Sequence, residues 1–570
     1  MQLRQQYQLA EKLERYLGDP EDPAAPVSFG AALEMDEREE YPIRQTAFLD
    51  NWNLCELYVP AHCGGRLGSF EEVFAILRVL SRRDLTLALS HVVTFLGALP
   101  VWIAGSDEQK RHMAELVRAG HKVAFALSER MRGSDLLANE VEARQDGDSY
   151  VISGEKWMVG NATRSTALSL FARTRPEGGP RGFSLLFVDK RSLDPARFRH
   201  LPKVPTVGLR GSDLSGICFQ QCRVQRDSCI GPAGSGFELT LRTLQVTRTF
   251  CTGLSLGAAD TALRLAADFA IKRRLYGANV YDIPHARAVL ANAFIDLMIC
   301  DCVAISALRA LQARPGQASL WSAVAKYFVP TRIESVIRDI AVVLGARFFL
   351  RSEHAWSMFQ KMARDSAIVS VFEGSTVVQL DALALQLGFL PDRGKTVDDT
   401  FNDRLRTVFS LDAPIPAFDP AQLDLFSREG DDAVSGIPFL CDHLRAAGAS
   451  EETMNAARRV LDQSAHLTGD LERSRRLQPR SIAAFDLAKR YARLHVSACC
   501  IGFWIYNRET LDEFLGREKW LVNCLNRLFA EGELIEDART EAELLDRVRA
   551  GRLLSAVPFS LSCGERNTYA

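Results

Sequence analysis

No stretch of the 570 residues matches GxGxxG, so a nicotinamide-binding Rossmann turn is unsupported. HExxH is also missing, and no His/Cys cluster has metal-ligand spacing, so no metal is expected. The 13 cysteines are scattered without a CxxC pair and read as reduced, mostly buried thiols. By inspection, no apolar run reaches the roughly 18 residues of a membrane span. An excess of one charge is missing too. Against 69 Lys and Arg stand 71 Asp and Glu, a formal net charge of -2, which gives no sign of a nucleic-acid or anionic-membrane partner. The first residues, MQLRQQYQLAEKLERYLGDPEDP, have no apolar core and carry Glu11, Glu14 and Asp19, unlike a signal or transit peptide. The expectation is a cytoplasmic protein.

What is present is a large, ordinary hydrophobic content, 47%, with 25% charged residues, enough for several buried cores. Up to about Gly120 apolar residues recur at helical spacing, as in FEEVFAILRVLSRRDLTLALSHVV. From about His121 to Gly236 the period changes. KVAFALSE, DSYVISGEKWMV, ALSLFART, GFSLLFVDK and SGICFQQCRV are short, apolar and β-branched, which predicts an antiparallel β-domain. Long helical patterns return from Phe237 to about Leu390. A polar break follows at Pro391–Asp399, then a linker, LDAPIPAFDPAQ, and further helices such as AAFDLAKRYARLHVSACCIGFWIY. The expected fold is mainly α with a central antiparallel β-domain. Its parts are helical 1–121, β 122–236, helical bundle 237–393 and an additional helical domain 394–570.

Two motifs point to chemistry that their context denies. GLSLG (Gly253–Gly257) fits the GxSxG elbow of a serine nucleophile but lies inside a helical pattern, where its glycines suit close helix approach better than a Ser255 nucleophile. GFLPDRGKT (Gly388–Thr396) has one residue too many for a phosphate loop and follows a helix, not a strand.

Three segments carry more. FALSERMRGSD (Phe125–Asp135) puts a hydroxyl residue at a strand end before a polar Gly-containing loop. ISGEKWMVGN (Ile152–Asn161) is a Gly-turn hairpin with aromatic and sulfur side chains. RDSAIVSVFEGST (Arg364–Thr376) sets one carboxylate, Glu373, after an apolar helix and before Gly374 and two hydroxyls. Each alone is bland. In this order, together with VPAHCGGRLGS (Val59–Ser69), AGSDEQKRHMAELVRAG (Ala104–Gly120) and RRLYG (Arg273–Gly277), the chain resembles the acyl-CoA dehydrogenase family from about residue 45 to about 390.

The resemblance implies that family's helix, β-barrel and four-helix-bundle architecture. It also implies FAD and α,β-dehydrogenation of an acyl thioester carried on CoA or a carrier protein. Glu373 matches the base that removes the α proton, and its backbone N–H matches a donor to the thioester carbonyl. The preceding Val371 and Phe372 suggest an apolar setting that raises the pKa of the base. Phe125, Leu127 and Ser128 match flavin-wall positions, and Ser134 matches a serine beside FAD and the thioester arm. Ser375 and Thr376 match FAD contacts after the base. Arg273 and Tyr276 match residues that reach the FAD of a neighbouring subunit, hence an expected homodimer or homotetramer. Thr247, before Arg248, matches the place where some members carry their base on an earlier helix; it has no carboxylate, and the pair is assigned to the substrate side. Met158 and Gly160 stand where the family has a tryptophan and a threonine at the flavin. Further departures are Pro284 for a glutamine and VVLGARF (Val342–Phe348) for a Gly-rich loop. The resemblance implies an electron-transfer flavoprotein or oxygen as acceptor. One branch of the family binds DNA through a basic C-terminal region, but this chain's is mildly acidic, so no nucleic acid is expected.

Overall fold

A computed structural model describes residues 4–352, 355–390, 398–474, 477–529 and 532–562. The break read at Pro391–Asp399 and the boundary at 393/394 fall mostly outside these residues. The chain forms two compact units. One comprises Gly30–Gly68 and Thr86–Thr247; the other comprises Met1–Phe29, Ser69–Leu85 and Arg248–Ala570.

The first unit is built on eight strands: β1 (Lys122–Ala126), β2 (Glu142–Asp146), β3 (Ser149–Gly160), β4 (Ser165–Arg173), β5 (Phe183–Asp189), β6 (Phe198–Leu201), β7 (Leu214–Gln225) and β8 (Cys229–Ile230). The order is β6-β7-β3-β2-β4-β5-β8, with β1 beside β4. Pairing is antiparallel except that β1 runs parallel to β4, and β2 touches β4 in parallel at one residue pair. The expected antiparallel sheet is therefore mixed where β1 enters from a helix and not a hairpin. Val141, Ile152, Leu168, Leu170, Leu186, Val188, Ile217 and Phe219 form its core. Between Trp157 and Val159 the β3–β7 register shifts, and Met158 takes a positive φ of 60°. Such a bulge re-aims a side chain out of the ladder.

A buried polar network ties this unit together. The Tyr58 hydroxyl meets His91 Nδ1 at 2.9 Å, His91 Nε2 meets Asp50 Oδ1 at 3.0 Å, and Lys122 Nζ donates to the same oxygen at 2.8 Å. Cys55 Sγ lies 3.5 Å from it. Asp50, Cys55 and His91 are close enough to hold a metal ion, but the Lys122 ammonium already neutralises the carboxylate.

In the second unit, helix Ala318–Leu344 packs against both Pro284–Ala313 and Thr376–Leu387. Helices Ile482–Asn507, Lys519–Phe529 and Ala538–Arg549 pack against Pro284–Ala313. The residues after 398 therefore share one compact body with the bundle. The chain returns as an extended strap in which Leu553, Leu554, Ala556 and Val557 are buried. Arg78 donates to Leu554 O at 2.9 Å, and Asp260 accepts from Leu554 N at 2.7 Å.

GLSLG lies inside helix Gly236–Lys272, as its context requires. A Cβ on Gly257 would sit 2.5 Å from Ser81 Cβ and 2.6 Å from Arg78 O, so glycine there permits close approach of helix Phe70–Arg83. The reading of apolar runs needs correction. Leu85–Ala104 and Pro284–Ala313 are long and apolar enough to cross a membrane, but 72% and 94% of their apolar windows are buried inside the protein, so both serve as core helices.

Candidate active site

The turn that carries Glu373 follows helix Met358–Ser366 and is closed by Thr376 N–H donating to Ser370 O at 2.9 Å. Within it Glu373 has φ 55° and Gly374 φ 99°. The left-handed pair reverses the chain and brings Glu373 O against helix Gly236–Lys272, where Arg248 Nε donates to it at 2.8 Å. Only glycine fits next. A Cβ on residue 374 would lie 2.6 Å from Gln379 Nε2 and 2.7 Å from Arg248 Nη2, and the backbone conformation itself disfavours a side chain.

The carboxylate has polar company. Cys251, one turn beyond Thr247, points its thiol at Glu373 Oε2 at 3.7 Å. Lys326, from helix Ala318–Leu344, donates to Val369 O and stands 4.5 Å from the Phe372 ring centroid. Burial pulls Arg248 down to about 10 against the Glu373 charge, and pulls Lys326 below its usual value against Cys251 and Glu373. Burial, reinforced by Glu373, pushes the Cys251 thiol up to about 12. The apolar setting suggested by Val371 and Phe372 is thus corrected. Val371 is 55% exposed, and the side chains around the carboxylate belong to two cations and a thiol. Periodicity could not show this, because Lys326 and Cys251 reach the turn from other helices.

The same turn offers donors. Among the described residues the Glu373 N–H finds no hydrogen-bond partner. Ser375 is the N-cap of helix Thr376–Leu387, yet its hydroxyl makes no capping bond, which leaves it and the helix N-terminus able to receive an anionic group. Thr376 is less available, since its hydroxyl and N–H both reach Ser370 O. Arg273 lies beside a small hairpin, Arg274–Leu275 with Ala278–Asn279. It borders a cavity of about 890 Å³ that also takes in Val342, Gly345, Arg347 and Arg527. The divergent VVLGARF segment therefore lines the same space as Arg273. Tyr276 is 93% exposed at the hairpin tip.

The β-unit groups a second set. Ser128 Oγ donates to Trp157 O at 3.0 Å, and Trp157 N–H donates to Ser128 O at 3.0 Å, which brings the end of β1 to the bulge that turns out Met158. Leu127 O accepts from Lys156 and Asn139, each at 3.0 Å. Burial pulls the Lys156 ammonium down to about 8 against the nearby Glu129. Phe125 is buried and Ser134 exposed. Gly160 faces Val93, whose methyl would be 3.2 Å from an added Cβ. Thr247 is buried, its hydroxyl bonded weakly to Leu244 O at 3.5 Å.

Comparison with known proteins decides the family. The N-terminal, middle and C-terminal domain models of acyl-CoA dehydrogenases match residues 27–121, 124–222 and 234–388. The chain belongs to the acyl-CoA dehydrogenase family. Acyl-CoA dehydrogenases are flavin oxidoreductases that bind FAD, and this chain is an enzyme of that class. It is 27% identical over 351 residues to the probable acyl-CoA dehydrogenase FadE25 of Mycobacterium tuberculosis, covering 61% of this chain and 88% of that one. It is 27% identical over 350 residues to cyclohex-1-ene-1-carbonyl-CoA dehydrogenase of Geobacter metallireducens, covering 61% and 90%. The solved acyl-CoA dehydrogenase of Bacillus anthracis, complexed with FAD, superposes with TM-score 0.66 at 18% identity over 96% of this chain and 91% of that one. That likeness extends the shared fold through the C-terminal helices. Within the second unit, the uncapped Ser375 hydroxyl and the Arg273-lined cavity are donors of the kind that FAD takes.

Lys326 and Cys251 escaped the sequence reading. Lys326 left one trace, a lone lysine in the apolar run LWSAVAKYFV. Cys251 left only its spacing of four from Thr247.

Proposed function

We propose that the protein catalyses FAD-dependent α,β-dehydrogenation of an acyl thioester, with Glu373 as the base. One observation carries this reading: a single residue presents both a carboxylate and an unpartnered N–H, on a turn gripped from two helices. The α carbon of a thioester is a weak acid, so the carbonyl oxygen must be met by a fixed donor as enolate charge develops. The Glu373 N–H supplies that donor, and its carboxylate takes the α proton. Bound FAD supplies the acceptor for the β hydrogen, which leaves as hydride.

On the flavin side we assign Phe125, Leu127, Ser128, Ser134, Met158 and Gly160 from the β-unit, and Ser375 and Thr376 after the base. Arg273 and Tyr276 are assigned to the FAD of a neighbouring copy in a homodimer or homotetramer. Ser134, Thr247 and Arg248 face substrate; Arg248 also fixes the base through its carbonyl. Both curated relatives are named for CoA thioesters, which favours CoA over a carrier protein. Anaerobic bleaching of bound FAD by a panel of acyl-CoA and acyl-carrier-protein thioesters tests the reading. Bleaching by at least one acyl thioester is expected, and none across the panel contradicts it. Slow reoxidation in air points to an electron-transfer flavoprotein as acceptor; rapid reoxidation points to oxygen.

A further inference from the structure

We propose that Lys326 is the positioning residue of the base, holding the Val369–Glu373 turn from inside the protein without touching substrate. This rests on the reading of Glu373 as the base.

Lysine is seldom buried, because removing an ammonium from water costs several kcal/mol unless partners replace the water. Lys326 is 1% exposed. Besides the Cys251 thiol, the partners it finds lie on one short segment. Its ammonium donates to Val369 O, lies over the Phe372 ring and interacts with the charge of Glu373. Residues 369, 372 and 373 are the start, the penultimate position and the functional position of the turn.

The neighbouring carbonyls of residues 368 and 370 are already engaged. Ile368 O accepts from the N–H groups of Val371 and Phe372, and Ser370 O accepts from Thr376. Among the described bonds, Val369 O is met only by the lysine. A second tether comes from the same helix two turns on, where Glu334 accepts from the Ser370 hydroxyl. Helix Ala318–Leu344 therefore grips the turn at residues 369 and 370. Helix Gly236–Lys272 grips it at Glu373 O through Arg248. The Lys326 hydrogen bond goes to a backbone carbonyl and not to a Glu373 carboxylate oxygen, so the backbone is fixed while the carboxylate keeps its capacity to accept a proton.

A merely structural lysine would affect folding and flavin content alike whatever stands at 373. A positioning lysine matters only while there is a base to position. The test is a double-mutant cycle on the FAD-loaded full chain. It measures the limiting anaerobic flavin-reduction rate with whichever of butyryl-, octanoyl- or palmitoyl-CoA bleaches the parent fastest. Lys326→Met removes the charge and the donor; Lys326→Gln removes the charge and keeps a donor. In the parent, Lys326→Met is expected to slow reduction about 10- to 100-fold, the scale of a displacement of about 1 Å at a reacting group. Half-saturation should stay within about threefold. Lys326→Gln should retain more of the rate. In the Glu373→Gln background Lys326→Met should add less than about threefold.

An equal loss in both backgrounds overturns the proposal, as does no loss in the parent. Loss of flavin from both variants also overturns it, because the lysine is then a folding element. A parent-like rate in Glu373→Gln alone is a different failure, since it removes the base assignment itself.

Discussion

Arg248 Nε donates to Glu373 O at 2.8 Å, so a guanidinium fixes the backbone of Glu373 without bonding its carboxylate. Gly374 is what lets the two approach, because any Cβ there would lie 2.7 Å from the same guanidinium.

Gly374→Ala should therefore act on chemistry as much as on stability. The added carbon forces Arg248 or Gln379 aside, and φ 99° is strained for alanine. A loss of about 1–3 kcal/mol is expected from the backbone alone. The limiting flavin-reduction rate should fall about 10²-fold, the scale of a misplaced reacting group. Differential scanning calorimetry and stopped-flow absorbance on the same sample check both. A variant as fast as the parent would show that the turn tolerates displacement.

Gly257→Ala should affect stability only. Its Cβ would press on Ser81 Cβ and Arg78 O, both buried between helices. Overpacking of this kind costs about 1–3 kcal/mol. A lower melting midpoint with an unchanged reduction rate per bound flavin is the expected outcome. Loss of activity ahead of stability would revive Ser255 as a functional residue.

The strands and long helices were legible because each pattern has one period and one buried face. KVAFALSE contains β1, DSYVISGEKWMV and ALSLFART cover most of β3 and β4, and AAFDLAKRYARLHVSACCIGFWIY nearly coincides with helix Ile482–Asn507. Glu373 stood out as a candidate because FEGST resembles the family's string at that place. The parallel pairing of β1 with β4 was not, since periodicity carries no strand direction. Nor were Lys326, Cys251 and the buried strap Leu553–Val557. Their roles depend on partners 40 to 480 residues away, and a lone lysine or a short apolar run says nothing of where it lands.

Acid should weaken the β-unit through His91. Burial, helped by Lys122, pulls its imidazole from 6.5 to about 4. Between those values the unfolded chain binds a proton that the folded one refuses, so stability falls as pH drops from 6.5 towards 4. The scale is on the order of 3 kcal/mol. Asp50 follows at lower pH. Burial opposes its ionisation, but His91 and Lys122 outweigh that and hold it at about 2, so its stabilisation is lost below 3.8. His91→Gln should melt below the parent at pH 7, with the gap narrowing by pH 4.5 in thermal melts. A gap that widens in acid would mean that His91 is charged in the folded protein.

The central claim is the base, and Glu373→Gln tests it most directly. Glutamine keeps the shape and the backbone N–H but cannot accept the α proton. The variant should remain yellow and bind thioester. On anaerobic mixing with the best acyl-CoA, its flavin should be reduced about 10² to 10⁴-fold more slowly than the parent's. Reduction at a rate near the parent's would contradict the account and leave Glu373 as a turn residue.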